Sequence, residues 1–274
     1  MKTRPEHPVI TLTTDFGTSD HYVGGMKGVI LGICPQAQLV DISHDVTAYS
    51  ILEAAFTVAQ AWPCFPAGTV HLVVVDPGVG SARHPILVEA AGHYFVSPDN
   101  GVLSMLYAAE PAHMVRHITA SRYFRHPVSR TFHGRDIFAP VAAHLANGVD
   151  AVEFGEIIGK YQQFSFARPF LIGPNTWAGT ILKVDRFGNL VTNFESRSWE
   201  KLAAEPFEMR IGNHRVNRMA ANYAEMGPNS LFVMAGSAGY LELSCHQDSA
   251  ARIAETVSGD LVELSLIPNA TPDL

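Results

Sequence analysis

Apolar and polar positions divide the first 76 residues into short apolar runs and longer stretches with helical spacing. The short runs are rich in β-branched residues, as is typical of strands that are buried on both faces. The predicted strands are 8–16, 39–43 and 70–76, and the predicted helices between them are 23–34 and 50–62. This alternation predicts a parallel sheet with right-handed crossover connections.

The α/β pattern continues to about residue 147. Two further strands are predicted at 85–90 and 94–97, a turn at 98–101, a short helix at 102–109, and a polar loop at 129–140 that opens another helix. Residues 169–176 follow, and their two prolines and one glycine give them the composition of a linker. We therefore predict that one domain ends just before this segment.

After the linker the pattern changes to short strands that are separated by turns. Strands are predicted at 180–194, 207–216, 230–234, 240–246 and 260–266, with brief helices near Trp199 and Ala250. Such spacing is typical of a small barrel or sandwich. We predict an N-terminal α/β domain with a mostly parallel sheet, residues 1–168, and a small all-β, barrel-like C-terminal domain, residues 169–274.

Charge and composition argue against several classes of function. The formal net charge is −7 and no basic run is present, which disfavours a nucleic-acid partner and is compatible with a cationic substrate. No apolar stretch approaches the roughly 18 residues of a membrane span, and the N-terminus lacks the apolar core of a signal peptide. The three cysteines form no CxxC pair, so we expect a cytoplasmic protein without a disulfide framework.

Candidate chemistry is concentrated where the third predicted strand ends. Residues 73–85 have the sequence VVVDPGVGSARHP, in which three valines precede Asp76, a Pro-Gly-x-Gly turn and Arg83. Ligands of open α/β sheets bind outside the carboxyl ends of the strands, which is where Asp76 falls. A turn acid that pairs with a nearby arginine would explain the same residues, so this segment alone leaves both interpretations open.

Two other polar residues have comparable positions. Asp15 ends the first predicted strand, where a carboxylate commonly accepts hydrogen bonds from a ribose diol, although it is also a suitable turn acid. His133 precedes a glycine at the mouth of a predicted helix. A histidine there is a candidate general base near neutral pH, and a structural role is the alternative.

Two predicted turns in the C-terminal domain carry groups that suit a planar base. Residues 185–189, DRFGN, contain Asp185, Phe187 and Asn189. An aromatic ring and an amide at a turn can clamp a base by stacking and hydrogen bonding, whereas a plain hairpin is the alternative. Ser237 and Glu242 bound a second such turn.

Motifs for other kinds of chemistry are missing from the sequence. Residues 78–83 lack the Gly-Lys-Ser/Thr of a phosphate-binding P-loop, and no HExxH or HxH spacing suggests a metal site. No GxSxG elbow is present either, which disfavours a Ser-His-Asp hydrolase. We expect no cofactor and no bound metal.

Six segments, taken in order, give the sequence a specific resemblance over nearly its whole length. They are TTDFGTSDHYVGGMKG, VVVDPGVGSARHP, SPDNG, TFHGRDIFAP, VDRFGNLVTN and GSAGYLEL. The combination resembles the S-adenosyl-L-methionine hydroxide adenosyltransferases, relatives of the fluorinase and chlorinase enzymes. The resemblance implies a homotrimer whose active sites lie between the N-terminal domain of one subunit and the C-terminal domain of the next.

The resemblance also implies roles for individual residues. The family's Asp-Arg-His triad falls on Asp76, Arg83 and His133, and its ribose-binding acid falls on Asp15. Tyr49 stands where the halogenating relatives carry an aromatic residue beside the nucleoside. The remaining substrate-binding positions fall on Asp185, Phe187, Asn189, Ser237 and Glu242.

Differences from the halogenating relatives favour water over halide as the nucleophile. Gly134 occupies the place of a halide-contacting serine, and Asp76 replaces a tyrosine of the pocket wall. The resemblance thus implies metal-independent hydrolysis of S-adenosyl-L-methionine to adenosine and L-methionine by attack of water at the ribose C5′. The alternatives are a halide-using adenosyltransferase, a non-catalytic sensor of adenosine or S-adenosylmethionine, and a metal-dependent hydrolase.

Overall fold

The computed structural model describes residues 6–165 and 168–267. The chain divides into two compact units, one up to Phe164 and one from Ser165 onward. The composition of the sequence placed the boundary after residue 168. In the part of the chain that is described, no helix has the length and apolar character needed to cross a membrane.

The first unit is built on a six-stranded sheet with the order β2-β1-β3-β5-β4-β6. Its strands are β1 (Val9–Thr14), β2 (Gln38–Ser43), β3 (Val70–Val74), β4 (Pro85–Ala90), β5 (His93–Pro98) and β6 (His113–His117). Strands β2, β1, β3 and β5 run parallel to one another, whereas β4 is antiparallel to both β5 and β6. The mostly parallel α/β sheet predicted from the sequence is confirmed.

Helices cover both faces of this sheet. They are α1 (Tyr22–Ile33), α2 (Ile51–Ala61), α3 (Ser104–Ala109) and α4 (Ala139–Ala146). Leu72 and Val74 join the apolar core on the side of α1 and α4, while Val73 and Val75 join the core on the side of α2 and α3. Successive side chains of a strand point to opposite faces, so the continuous apolar run supplies both cores at once.

The second unit is a β-structure whose strand pairs are antiparallel among the described residues. Its strands are β7 (Phe170–Gly173), β8 (Thr176–Val184), β9 (Leu190–Glu195), β10 (Phe207–Ile211), β11 (His214–Val216), β12 (Leu231–Ala235), β13 (Tyr240–Cys245) and β14 (Leu261–Leu266). The main path of the sheet is β11-β10-β14-β8-β9-β13-β12, and β7 pairs with β8. A helix, α5 (Ala250–Ala254), follows β13. The predicted all-β, barrel-like domain is confirmed.

Three local predictions differ from the structure. The segment 169–176 is not an open linker, because β7 and the start of β8 form a hairpin there. The strand predicted at 207–216 is two strands, since Gly212 has a φ of +53° and turns the chain back on itself. Strand β6 was missed, because its two histidines and one arginine hide the apolar alternation.

Candidate functional site

Asp15 and Asp76 lie at the same edge of the first sheet. Strands β1 and β3 are parallel neighbours, and Thr14 at the end of one is paired with Val74 at the end of the other. Both acids therefore emerge where the carboxyl ends of adjacent strands meet. Burial raises the pKa of Asp15, hydrogen bonds from the Tyr49 and Asp15 N–H groups oppose that shift, and the charge of Asp76 adds to it. The edge predicted from the sequence is thus a shared acidic site.

Arg83 joins Asp76 to His133. Its Nε donates to Asp76 Oδ1 at 2.9 Å, and its terminal NH2 group donates to Asp76 Oδ2. The same NH2 group lies 2.9 Å from His133 Nδ1. The side chains of Asp76 and Arg83 are only 5% and 8% exposed. The structure therefore brings together the three residues that the sequence picked out as a triad.

The contact with Arg83 assigns the tautomer of His133. A guanidinium is always protonated and can only donate, so Nδ1 of the imidazole is the acceptor and the ring proton is on Nε2. Burial lowers the pKa of His133, and the charge of Arg83 lowers it further. His133 is consequently a neutral ring that offers an N–H from Nε2, and it is a poor base while Arg83 occupies Nδ1.

The loop that carries Asp76 and Arg83 is in backbone contact with the segment that carries His133. Gly80 has a φ of +79°, and a Cβ placed on it would lie 2.5 Å from the carbonyl oxygen of Arg130. Only glycine allows this approach without strain. On the other side, the Asn100 side chain donates to the Val75 carbonyl at 2.9 Å and holds the peptide next to Asp76. The sequence showed the SPDNG turn but gave no sign that Asn100 contacts this strand end.

His133 directly precedes a π-helical turn, Gly134–Phe138, which leads into α4. Such turns are rare and are often found at functional sites. The fully buried Asp136 stabilises this one by accepting from Arg125, Arg135 and the Ser129 N–H. Burial would raise the pKa of Asp136, but these hydrogen bonds outweigh it and lower the pKa. The segment that presents His133 is therefore held by an ionised, enclosed carboxylate.

Tyr49 is positioned by Asp15. Its backbone N–H donates to Asp15 Oδ2 at 2.8 Å. Its φ of +69° lies in the left-handed region that residues other than glycine rarely adopt. The residue is 73% exposed. A strained residue that presents an exposed aromatic ring beside an acid is typical of a binding site.

In the second unit, Asp185 organises the turn between β8 and β9. Its Oδ1 accepts from the backbone N–H groups of Phe187 and Asn189, both at 2.8 Å. Its Oδ2 accepts from the Asn189 side-chain amide at 2.8 Å. Asn189 is buried, whereas Phe187 is 79% exposed. The turn is thus a rigid platform that displays one aromatic ring and leaves the amide oxygen of Asn189 as an acceptor.

A cleft of about 490 Å³ opens beside this turn and reveals a residue that sequence reasoning missed. Tyr223 lines it together with Phe187 and Asn189, and its hydroxyl lies 3.4 Å from Asn189 Nδ2. Tyr223 belongs to a short 3₁₀ turn in an irregular stretch, where neither strand nor helix periodicity draws attention to it. The available signal was a single aromatic residue in a stretch without regular periodicity.

Glu242 and Ser237 complete the set in the second unit. Glu242 is buried on β13, and burial raises its pKa, with a smaller contribution from the charge of Asp185. Its carboxylate rests against Gly236, where a Cβ would lie 1.9 Å from Oε1. Ser237 follows in the exposed turn between β12 and β13. Glu242 therefore packs against the turn that carries Ser237 and is close enough to Asp185 for the two charges to interact.

The residues predicted from the sequence fall into two sets. Asp15, Tyr49, Asp76, Arg83 and His133 belong to the first unit, and Asp185, Phe187, Asn189, Ser237 and Glu242 belong to the second. Within the described ranges, 6–165 and 168–267, no three His, Cys, Asp or Glu side chains cluster in the manner of a metal site. Each set is a polar site with an exposed aromatic ring.

Comparison with known proteins identifies relatives of this chain. Residues 10–155 match the SAM hydroxide adenosyltransferase N-terminal domain, and residues 179–263 match the C-terminal domain of the same family. A Methanocaldococcus jannaschii protein named (R)-S-adenosyl-L-methionine hydrolase is 34% identical, over 93% of this chain and 95% of its own. A fluorinase from Actinoplanes is 27% identical over 71% of this chain and 74% of its own. A conserved protein from Thermotoga maritima is 34% identical in sequence. Its crystal structure superposes with a TM-score of 0.85 over 94% of this chain and 99% of its own.

Proposed function

The chain belongs to the SAM hydroxide adenosyltransferase family, and on that premise we propose that it hydrolyses S-adenosyl-L-methionine to adenosine and L-methionine. The observation that carries the proposal is the cluster of Asp76, Arg83 and His133 beside Asp15 at one sheet edge. Relatives about one third identical over most of the chain are named for this hydrolysis, and the fluorinases are less similar.

The substrate supplies part of the chemistry. Its sulfonium makes methionine a good leaving group, so no acid is needed at sulfur. The oxygen of water forms a bond to C5′ while the C5′–S bond breaks and its electron pair goes to sulfur. The protein therefore has to hold one water in line with that bond and take up its proton. Alignment alone is worth about 7–11 kcal/mol.

We assign these tasks to three residues. Asp76 accepts the proton as water attacks, a contribution of about 10²–10⁴-fold. Arg83 binds both carboxylate oxygens and so fixes the direction of their remaining lone pairs. His133, with its Nδ1 bonded to Arg83, donates from Nε2 to the water oxygen and stabilises its developing negative charge.

The remaining residues bind the substrate. Asp15 accepts from the ribose hydroxyls at the edge that it shares with Asp76. The aromatic rings of Phe187 and Tyr223 suit adenine, and the amide oxygen of Asn189 is an acceptor in the same cleft. Asp185 and Glu242 are two acids near each other, a pairing that suits the ammonium group of the methionine moiety.

We propose that complete sites form in a homotrimer, between the first unit of one subunit and the second unit of the next. Two exposed aromatic rings support this proposal. Tyr49 and Phe187 are 73% and 79% exposed in separate units, and each lies beside residues assigned to the substrate. Large exposed rings next to polar groups are typical of surfaces that are covered on binding.

The surroundings of Gly134 support water rather than halide as the nucleophile. A Cβ at this position would lie 3.2 Å from Met26 Sδ and 3.4 Å from both Phe132 and Val74. The hydroxyl-bearing side chain that the resemblance places there in the fluorinase would therefore push these neighbours aside by a few tenths of an ångström. We expect no halogenated nucleoside even at high chloride.

The names of the relatives specify the sulfonium epimer. Several of them are named for (R)-S-adenosyl-L-methionine, and we propose that this protein also acts on the (R) epimer. The substrate is tested by incubating the protein with each epimer separately, in H₂¹⁸O with EDTA and without added halide. We expect methionine and adenosine with ¹⁸O in its 5′-hydroxyl, formed faster from the (R) epimer.

Three results of that experiment would contradict the proposal. Turnover that stops with EDTA and returns with a divalent cation would indicate a metal-dependent hydrolase. A 5′-chloro-5′-deoxyadenosine product on addition of chloride would indicate halide transfer. Tight binding of either epimer or of adenosine without any product would indicate a sensor.

A further inference from the structure

A chain of side-chain contacts that begins in the core and ends at the surface lies directly behind Asp15. Thr14, which precedes it on β1, is fully buried, and its Oγ1 lies 2.9 Å from His44 Nδ1. His44 Nε2 lies 3.0 Å from Asp41 Oδ1 at the end of β2. Asp41 Oδ2 in turn accepts from Lys27 on α1 at 2.6 Å. The chain thus links the ends of β1 and β2 with helix α1.

The polar contacts of this chain fit one assignment of donors and acceptors. The Phe16 N–H donates to Thr14 Oγ1 at 3.3 Å, so the hydroxyl proton of Thr14 is available for Nδ1 of His44. That leaves the ring proton of His44 on Nε2, which lies 3.0 Å from Asp41 Oδ1, within ion-pair distance but without the alignment of a hydrogen bond. Burial would raise the pKa of Asp41, but contacts with Lys27 and His44 outweigh it and lower the pKa. An ionised acceptor therefore stands at the far end of the chain.

His44 holds the backbone on the far side of Asp15 as well. Its carbonyl accepts from the Gly17 N–H at 2.7 Å, while its ring contacts Thr14. Residues on both sides of Asp15 are consequently fastened to one histidine. Asp15 itself is left with its carboxylate at the sheet edge, where Oδ2 accepts from the Tyr49 N–H.

We propose that Thr14, His44 and Asp41 are positioning residues that aim the Asp15 carboxylate at the ribose hydroxyls of the substrate. This inference rests on the role of Asp15 in the proposed function, and it adds the residues through which that role depends on β2 and α1. A carboxylate that has to accept from two vicinal hydroxyls tolerates little rotation. Loosening the chain behind it should therefore weaken nucleoside binding more than it slows the chemical step.

The protein contains a matched control on the same strand. Thr11 is also buried, and its Oγ1 lies 2.8 Å from Nδ1 of another buried histidine, His71. It precedes Thr14 by three positions on β1, and its side-chain hydrogen bond leads to β3 rather than to the segment after Asp15. Thr11→Val and Thr14→Val each remove one buried threonine–histidine hydrogen bond. A purely structural effect would appear in both variants.

The experiment measures the Kd of adenosine and of 2′,3′-dideoxyadenosine by calorimetry, together with kcat, KM and Tm. We expect Thr14→Val to weaken adenosine binding about 5- to 10-fold, as for the loss of one hydrogen bond, with kcat nearly unchanged. Binding of dideoxyadenosine, which lacks both ribose hydroxyls, should not change. Thr14→Ser should restore the affinity for adenosine. Thr11→Val should lower Tm without weakening the binding of either nucleoside.

Two results would overturn the inference. One is equal adenosine affinity in Thr14→Val and Thr11→Val, and the other is an equal loss for adenosine and dideoxyadenosine. If Thr14→Val does not fold, Asp41→Asn, at a half-exposed position, is used as the test variant. It should weaken the binding of adenosine but not that of dideoxyadenosine. Wild-type protein that prefers adenosine over dideoxyadenosine but turns over no S-adenosylmethionine would refute the proposed function and leave the inference standing. Equal wild-type affinity for the two nucleosides would refute the inference.

Discussion

Arg83 donates to Asp76 and to His133 at the same time. Its Nε lies 2.9 Å from Asp76 Oδ1, and its terminal nitrogen lies 2.9 Å from His133 Nδ1. One guanidinium therefore sets both the orientation of the carboxylate and the tautomer of the imidazole. Its planar face also lies over the ring of Phe138, with 5.2 Å from Cζ to the ring centroid. Asp76 and His133 are thus held in a defined position relative to each other.

Asp76→Asn should reduce turnover far more than binding. The amide keeps the shape of the carboxylate but cannot accept the proton of water, so we expect kcat to fall about 10²–10⁴-fold. The Kd of adenosine should change little. Glu153→Gln, which breaks an exposed ion pair with Arg122 in the same unit, is the control. If the kcat of Asp76→Asn were similar to that of Glu153→Gln, Asp76 would have no role in the chemical step.

Asp15→Asn should have the opposite effect. The ribose hydroxyls lose a charged acceptor, and a hydrogen bond to a charged group contributes about 1.5–3 kcal/mol. We expect KM and the Kd of adenosine to rise by roughly 10- to 100-fold, with a much smaller change in kcat. Steady-state kinetics with calorimetry measures both. A variant that loses kcat while keeping its affinity would place Asp15 in the chemical step instead.

Gly80→Ala tests the contact between the loop that carries Arg83 and the segment that carries His133. The added Cβ would lie 2.5 Å from the Arg130 carbonyl, in addition to the strain of a φ of +79°. Gly68 is the matched control, because its φ is +88° and nothing lies within 4 Å of its Cβ position. Gly68→Ala should lower the free energy of unfolding by about 1 kcal/mol and keep the activity.

For Gly80→Ala we expect a larger loss of stability, about 2–4 kcal/mol, and a fall in kcat because His133 moves relative to Arg83. Urea unfolding and initial rates measure the two effects. Equal behaviour of the two alanine variants would mean that the Arg130 contact is not needed to hold the site.

His71 should make the protein less stable in acid. Burial lowers its pKa to about 3, with a further contribution from His93, whose Nδ1 lies 3.1 Å from His71 Nε2. Above pH 6.5 the residue is neutral in both the folded and the unfolded state, so it contributes no pH dependence there. Below that pH the unfolded state binds more protons. Stability is lost as the pH falls from about 6.5 towards 3.

Between pH 7.5 and pH 5 the loss attributable to His71 should be about 2 kcal/mol. His71→Asn keeps an acceptor for Thr11 and removes the titration, so its free energy of unfolding should depend less on pH. The same substitution at the exposed His126 controls for the loss of a histidine. Parallel pH curves for wild type and His71→Asn would rule out the buried ring as the cause.

Mixed subunits should test the proposed homotrimer. Asp76→Asn alters the first unit and Asp185→Asn alters the second, and each variant alone should be nearly inactive at low substrate concentration. If sites form between neighbouring subunits, refolding a one-to-one mixture should restore roughly a quarter of wild-type activity. No recovery, in a mixture that light scattering shows to be trimeric, would place both units of one subunit at the same site.

Much of the scaffold follows from local sequence. Apolar periodicity and glycine or proline breaks determine where β1, β2, β3, α1 and α2 begin and end, because those signals act over a few residues. Three strands that alternate with helices must be parallel, so Asp15 and Asp76 had to share an edge. The sequence therefore determined which face of the first unit carries the acids.

The chemistry of that edge was decided by tertiary structure. Arg83 and His133 are 50 positions apart, and their contact depends on two loops packing together at Gly80, which no periodicity records. The tautomer of His133, the link from Asp41 to Thr14, and the place of Tyr223 in the cleft also depend on partners distant in sequence. Periodicity predicts which face of an element is buried. The hydrogen-bond partner of an individual polar atom is determined only when the elements pack together.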